Sequence, residues 1–185
     1  ARRSAEGLLA LIPLLLIALL VASHVAFAGA RFVLNLEAQR LGASEFQLGC
    51  ILGLLMAVPV VMAVPVGRWS DRTGFVRPTA CGLALAFAGA LLGGASSEPG
   101  WLYLVSVLAG SGYMAGHVAV SNAVGRVARP ERVTHAYAAL ATGFSVSGMT
   151  GPVLAGVLMD HASAHWAFLT LAAFPCISAL LLYAC

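Results

Sequence analysis

An all-α polytopic membrane protein, a bundle of six transmembrane helices, is what this sequence predicts, and three observations predict it. The chain has 185 residues, of which 61% are hydrophobic and only 9% charged. A soluble chain is roughly 25% charged, so this one has too little polar surface to face water on every side. Apolar windows of about 20 residues, the length that crosses a hydrocarbon core of roughly 30 Å, recur six times. Runs this long suit helices, which satisfy their own backbone groups, rather than the alternating strands of a barrel. The cations, finally, gather on alternate connections between the windows.

The six spans are expected at 8–38, 46–66, 78–95, 101–124, 133–159 and 166–185, together one N-terminal six-helix unit. The first run opens at Leu8, is apolar to Ala30 and continues in helical character to Ala38. Its length exceeds the apolar core of a secretory signal, and no processing site follows it, so it reads as a span. The second opens at a capping box, Ser44 with Gln47 three residues on. Pro78 suits the first turn of the third, where a missing N–H costs nothing. "SSEPG" and "DHASAH" supply the turns before the fourth and sixth.

Sidedness follows from arginine, because all ten positive residues are arginine and there is no lysine. Arg2 and Arg3, then Arg68, Arg72 and Arg77, then Arg126, Arg129 and Arg132 fall on one side, leaving Arg31 and Arg40 elsewhere. By the positive-inside rule both ends of the segment are cytoplasmic, in a plasma or inner membrane. The net charge of +3 thus reports topology, not nucleic-acid binding. Cys50, Cys81, Cys176 and Cys185 lie within the spans without CxxC spacing, so neither a metal site nor a disulfide framework is expected, and no cofactor is called for.

Between the second and third spans stands "PVGRWSDRTGFVRP", with Gly67, Asp71, Arg72, Gly74 and Arg77. Its frame, a glycine, three residues, Asp-Arg, one residue and a glycine, resembles the signature loop of the major facilitator superfamily, and it sits between the same two helices. Pro130-Glu131-Arg132 is similar to that family's approach to its fifth helix. The stretch from Ser147 to Gly156, with Gly151 and Pro152, resembles its glycine-proline motif, although Ser147 and Ala155 stand where glycine is preferred. The fourth span places Ser106 where the family often carries an arginine.

Gly67 and Gly74 permit close approach and tight turning. Asp71 is suited to accept from the free N–H groups of a helix N-terminus. Arg72 and Arg77 can hold carboxylates in bidentate geometry, with Glu131 a local partner. The resemblance implies that such contacts latch the two halves of a transporter together on the cytoplasmic side. Glycine pairs four apart, Gly49 with Gly53, Gly89 with Gly93 and Gly112 with Gly116, read as close-contact faces. Pro59, Pro152 and Pro175 are positions for kinks.

Polar residues inside spans are costly and mark cavities. His24, Arg31 and Asn35 fall within about 40° of one helix face. Ser106, Tyr113, His117 and Ser121 form a second stripe on the fourth helix. The resemblance implies that these two helices line a central cavity, which makes His24, Arg31, Asn35, Tyr113, His117 and Ser121 the substrate-binding candidates. The expected function is secondary transport of a small organic solute by alternating access, with Arg31 favouring an anion and His24 or His117 offering proton coupling. The expected partners are the lipid bilayer and a missing C-terminal six-helix half. An intramembrane serine protease using Ser111 or Ser147, and a transporter-like receptor or scaffold without flux, are the alternatives; the first lacks its Gly-x-Ser-Gly.

Overall fold

The computed structural model describes residues 2–128 and 130–184, with side chains described from Ile12 onward. The side chains of Arg2 and Arg3, and all of Arg129 and Cys185, lie outside the described residues. Six long helices follow one another: α1 (Arg2–Arg40), α2 (Glu45–Thr73), α3 (Val76–Ala95), α4 (Pro99–Val127), α5 (Val133–His161) and α6 (Ala164–Ala184). A 3-10 turn, Pro130–Arg132, leads into α5. All six are long and apolar enough to cross a membrane.

Hydropathy marks where lipid ends, not where a helix ends, and α2 shows the difference. Its apolar run closes at Val66, yet the helix continues through Arg68 and Asp71 to Thr73. Most of the charged segment read as a loop is therefore helical, projecting beyond the apolar zone where side chains meet water. The turn itself is Gly74, at φ +80, where a side chain would be strained. Its N–H donates to Ser70 O, and α3 begins two residues later. At the other end of α2, Gln47 N donates to Ser44 Oγ at 3.3 Å and Ser44 N to Gln47 Oε1 at 2.9 Å, the reciprocal capping bonds.

Helices α1 and α4 form the centre. On one side α3 packs on α4 and α6 on α1, and α3 and α6 also meet each other; on the flanks α2 packs on α4 and α5 on α1. Each three-helix unit thus lays its flank helix on the other's central helix. One apolar cluster joins Val33, Leu34, Ile51, Leu55, Leu102 and Phe168 across α1, α2, α4 and α6. A second joins Leu16, Leu20, Leu83, Val120, Val124 and Leu140 nearer the opposite end.

Lipid supplies no hydrophobic drive between helices, so close backbone packing has to hold them. A methyl group on Gly112 of α4 would lie 2.6 Å from Gly82 O of α3, and one on Gly151 of α5 would lie 2.6 Å from Val25 O of α1. These positions admit only glycine. Gly49 and Gly53, expected in a contact face, have nothing within 4 Å of such a methyl. That pair lies on the exposed side of α2, and no helix of this bundle uses it.

Candidate functional site on the face of α1, α4 and α5

Two imidazoles and three aromatic rings from three helices meet halfway along the bundle. His24 comes from α1, Tyr113 and His117 from α4, one turn apart, and Phe144 from α5. The His24 ring lies 5.5 Å from Tyr113 and 5.1 Å from Phe144, and the His117 ring lies 5.4 Å from Phe144. Phe27, one turn along α1 from His24, stacks on Tyr113 at 4.2 Å and 14°. All five rings are half-buried. They pack against one another and each keeps some exposure, while Phe27 and Tyr113 also line a cavity shared with Leu83 and Gly89 of α3 and Phe168 and Leu171 of α6.

Hydrogen bonds fix both imidazoles. Ser147 Oγ lies 2.7 Å from His24 Nδ1 and also 2.7 Å from Gly143 O. A hydroxyl has one proton to share between the imidazole and the backbone carbonyl, and the other ring nitrogen of His24, Nε2, has no hydrogen-bond partner among the described residues. His117 Nδ1 lies 3.2 Å from the Tyr113 hydroxyl.

Arg31 stands two turns beyond His24 and one beyond Phe27, and it is exposed. Neither ion pair among the described residues includes it; the carboxylates that are paired, Glu37 and Asp71, belong to other arginines. Asn35 lies next on the stripe and accepts from Gln39 Nε2 at 3.0 Å. Glu37 points the other way, with only 2% of its side chain exposed, and takes both Nε and Nη2 of Arg40 at 2.8 and 2.9 Å. That two-point pairing is what allows a carboxylate to be buried there.

The fourth-helix stripe divides. Tyr113 and His117 join the ring cluster. Ser106 is fully buried and its hydroxyl has no partner among the described residues, while Ser121 lies near the charged end, where its carbonyl accepts from Tyr137 at 3.2 Å. Ser121 is not brought to the rings.

At the charged end, Asp71 of α2 pairs with Arg126 of α4 at 2.6 Å. Among the described residues the aspartate's side-chain partner is a guanidinium. Arg72 and Arg77 are exposed and form no ion pair among the described residues, so the expected pairing with Glu131 is not made. Gly67 is not a point of close approach either, since a methyl there would meet only Val118 at 3.9 Å.

The family model of the Major Facilitator Superfamily matches residues 14–185. The chain belongs to that superfamily. Solved members share the fold. A mutant of the peptide transporter POT in complex with alafosfalin superposes at TM-score 0.82 and 19% identity, over 93% of this chain and 37% of its own. A POT family transporter in complex with 5-aminolevulinic acid gives TM-score 0.76 and 18% identity, over 91% and 37%. A bacterial homologue of the human lysosomal transporter Spinster, inward-facing and unoccupied, gives 0.76 and 15%, over 95% and 42%. A search of curated proteins found no match. The chain thus spans well under half the length of these solved superfamily members, and it corresponds to about one half of their fold.

Ser147 is fully buried and its hydroxyl also contacts the backbone carbonyl of Gly143, a setting unsuited to a nucleophile that must reach a substrate. Among the described residues there is also no cluster of three or more metal-ligating side chains.

The glycine-proline segment of α5 is its packing face on α1. Gly151 meets Val25 and Gly29, Ala155 is fully buried, and Gly156 faces Phe32 at 3.5 Å, with Pro152 carried inside the helix. Ser147, one turn before Gly151, continues the same face, and its departure from glycine is what puts a hydroxyl against His24. The candidates drawn from polarity alone missed Ser147, Phe27, Phe144, Glu37 and Arg126. Spacing held a signal for two of them: Ser147 is four residues before Gly151, and Phe27 lies between His24 and Arg31 on one face.

Proposed function

We propose that this chain is the N-terminal half of a secondary transporter that moves a small organic solute by alternating access, and that the exposed face of α1, α4 and α5 is one wall of its path. The observation that carries this reading is the convergence of His24, Tyr113, His117 and Phe144 at mid-bundle, with Arg31 above them on the same side. Ionisable groups at membrane depth are expensive, and a water-filled path is the usual reason for keeping them. The other wall belongs to a second six-helix half, a reading supported by the chain's short span against its solved relatives. The apolar exposed faces of α2, with Val60 and Val61, and of α5, with Met149 and Val153, are where that half packs.

The eight arginines that the sequence puts on one side of the spans support an orientation with both ends of the segment cytoplasmic. The Asp71–Arg126 pair then lies on the cytoplasmic side and acts as a strut of the closed inner gate, bracing α2 against α4. His24 supplies proton coupling through its free Nε2, with His117 as its neighbour beside Phe144. Flux of labelled solute into proteoliposomes holding the whole transporter tests the reading. Uptake should require His24 and Arg31 and respond to an imposed pH gradient. Wild-type protein that binds solute yet moves none would overturn transport in favour of a receptor.

A further inference from the structure

We propose that the solute recognised on this face is an aromatic carboxylate, its ring laid against the Phe27–Tyr113 stack and its carboxylate on Arg31; this rests on the transport reading above. Three of the hydrogen-bonding atoms at the rings are occupied within the protein, which leaves the two imidazole Nε2 atoms for proton exchange. His24 Nδ1 is bound to Ser147, and the Tyr113 hydroxyl and His117 Nδ1 are bound to each other. What the cluster still offers at Phe27 and Tyr113 is aromatic surface, and aromatic surface recognises rings through offset and edge contacts that a saturated ring cannot make.

Charge supplies the second element. Arg31 lies four residues from Phe27, one helical turn or about 6 Å along the axis. It is exposed and has no carboxylate within ion-pair distance among the described residues. The nearest acid in sequence, Glu37, is already held at both oxygens by Arg40. A guanidinium left unpaired in a span invites an anion, and its planar fork fits a carboxylate. An aromatic cation would be drawn to the rings but repelled by Arg31. An aliphatic acid would satisfy Arg31 and leave the rings unused. A ring separated from a carboxylate by about one helical turn satisfies both.

The test uses the whole transporter in lipid nanodiscs and three probes: 3-phenylpropionate, 3-cyclohexylpropionate and 3-phenylpropionamide. The aromatic acid should bind several-fold more tightly than its saturated analogue and at least about tenfold more tightly than the amide. Arg31→Gln should erase the acid-amide difference. Phe27→Leu should narrow the phenyl-cyclohexyl difference, and Phe27→Trp should keep it, which separates loss of a ring from loss of fold. Equal affinity for the two acids, with the acid-amide difference intact, would overturn the aromatic assignment and leave anion transport standing. An acid-amide difference that survives in Arg31→Gln would overturn the role of Arg31. If none of the three probes binds while another solute is moved, the proposal fails and transport survives; if no solute is moved at all, both fall.

Discussion

Helix α4 has two faces that obey different rules, and neighbours in sequence belong to different ones. Gly112 lies backbone to backbone with Gly82 of α3, in space that admits no side chain. Tyr113, about 100° further round the helix, stands half-buried among rings from α1 and stacks on Phe27. The first face is silent chemically and intolerant sterically. The second is crowded with polar and aromatic groups, yet it leaves surface open. In a membrane bundle, where lipid gives apolar side chains no reason to leave it, the smallest residues carry the architecture, and under the proposed transport reading the largest carry recognition.

The comparison breaks most visibly at Gly112. Gly112→Leu must drive α3 and α4 apart, because both atoms nearest the new side chain, Gly82 O and Ala86 N, are backbone. The expected result is loss of monodisperse protein, or a fall in thermal midpoint on the order of 5–10 °C, read by size exclusion and a melting scan of the whole transporter. A variant that melts with the wild type would show that the α3–α4 contact is looser than described.

On the opposite face, substitution should damage function and spare the fold. His24→Ala and His117→Ala are expected to lower uptake driven by a pH gradient at least about tenfold while solute exchange without a gradient continues, the split expected when a proton acceptor is lost. Exchange that falls in parallel with driven uptake would assign the imidazoles to solute binding. Either variant should melt within a few degrees of the wild type.

The Asp71–Arg126 pair sits between these extremes. Both side chains are more than half exposed, at 58% and 62%, and pairs so exposed contribute about 0–1 kcal/mol to stability. Asp71→Asn and Arg126→Gln should therefore move the melting midpoint by less than about 3 °C. Turnover should nevertheless fall several-fold in each, and the double variant should be no worse than either single one, because both remove the same contact. Additive losses would mean that the two residues act separately.

Much of the architecture was legible because membrane helices obey a simple constraint. Six apolar windows require six internally satisfied backbones, and the end of each window is written in composition. Helix ends were less legible: hydropathy falls at Arg68 to Thr73, whereas a helix leaving the lipid continues with charged side chains. His24, Tyr113 and His117 were legible as polar groups at depth. Phe27 was legible only by its place between His24 and Arg31, and Phe144 not at all, since phenylalanine in a span is indistinguishable from lipid-facing packing until a neighbour from another helix is known. Arg126 was read for topology alone, because its aspartate lies 55 residues away and no local periodicity links them.

Ser147 is the place where the two kinds of face touch, and it predicts the smallest effect. It continues the α5 packing surface of Gly151 and Ala155, and its hydroxyl is hydrogen-bonded to His24 Nδ1. Ser147→Ala keeps the volume nearly unchanged and removes that partner, leaving a half-buried imidazole nitrogen unmatched. A lost hydrogen bond of this kind costs about 1 kcal/mol, so the melting midpoint should drop by a few degrees at most. The functional signature should be more specific: the His24 ring loses its bond at Nδ1, so the pH at which driven uptake is half-maximal should shift while maximal solute exchange changes by less than about twofold. Ser147→Thr retains a hydroxyl and should restore the profile if the extra methyl is accommodated against α1. A pH profile identical in Ser147→Ala and wild type would separate the packing face from the recognition face completely, leaving Ser147 a residue of architecture alone.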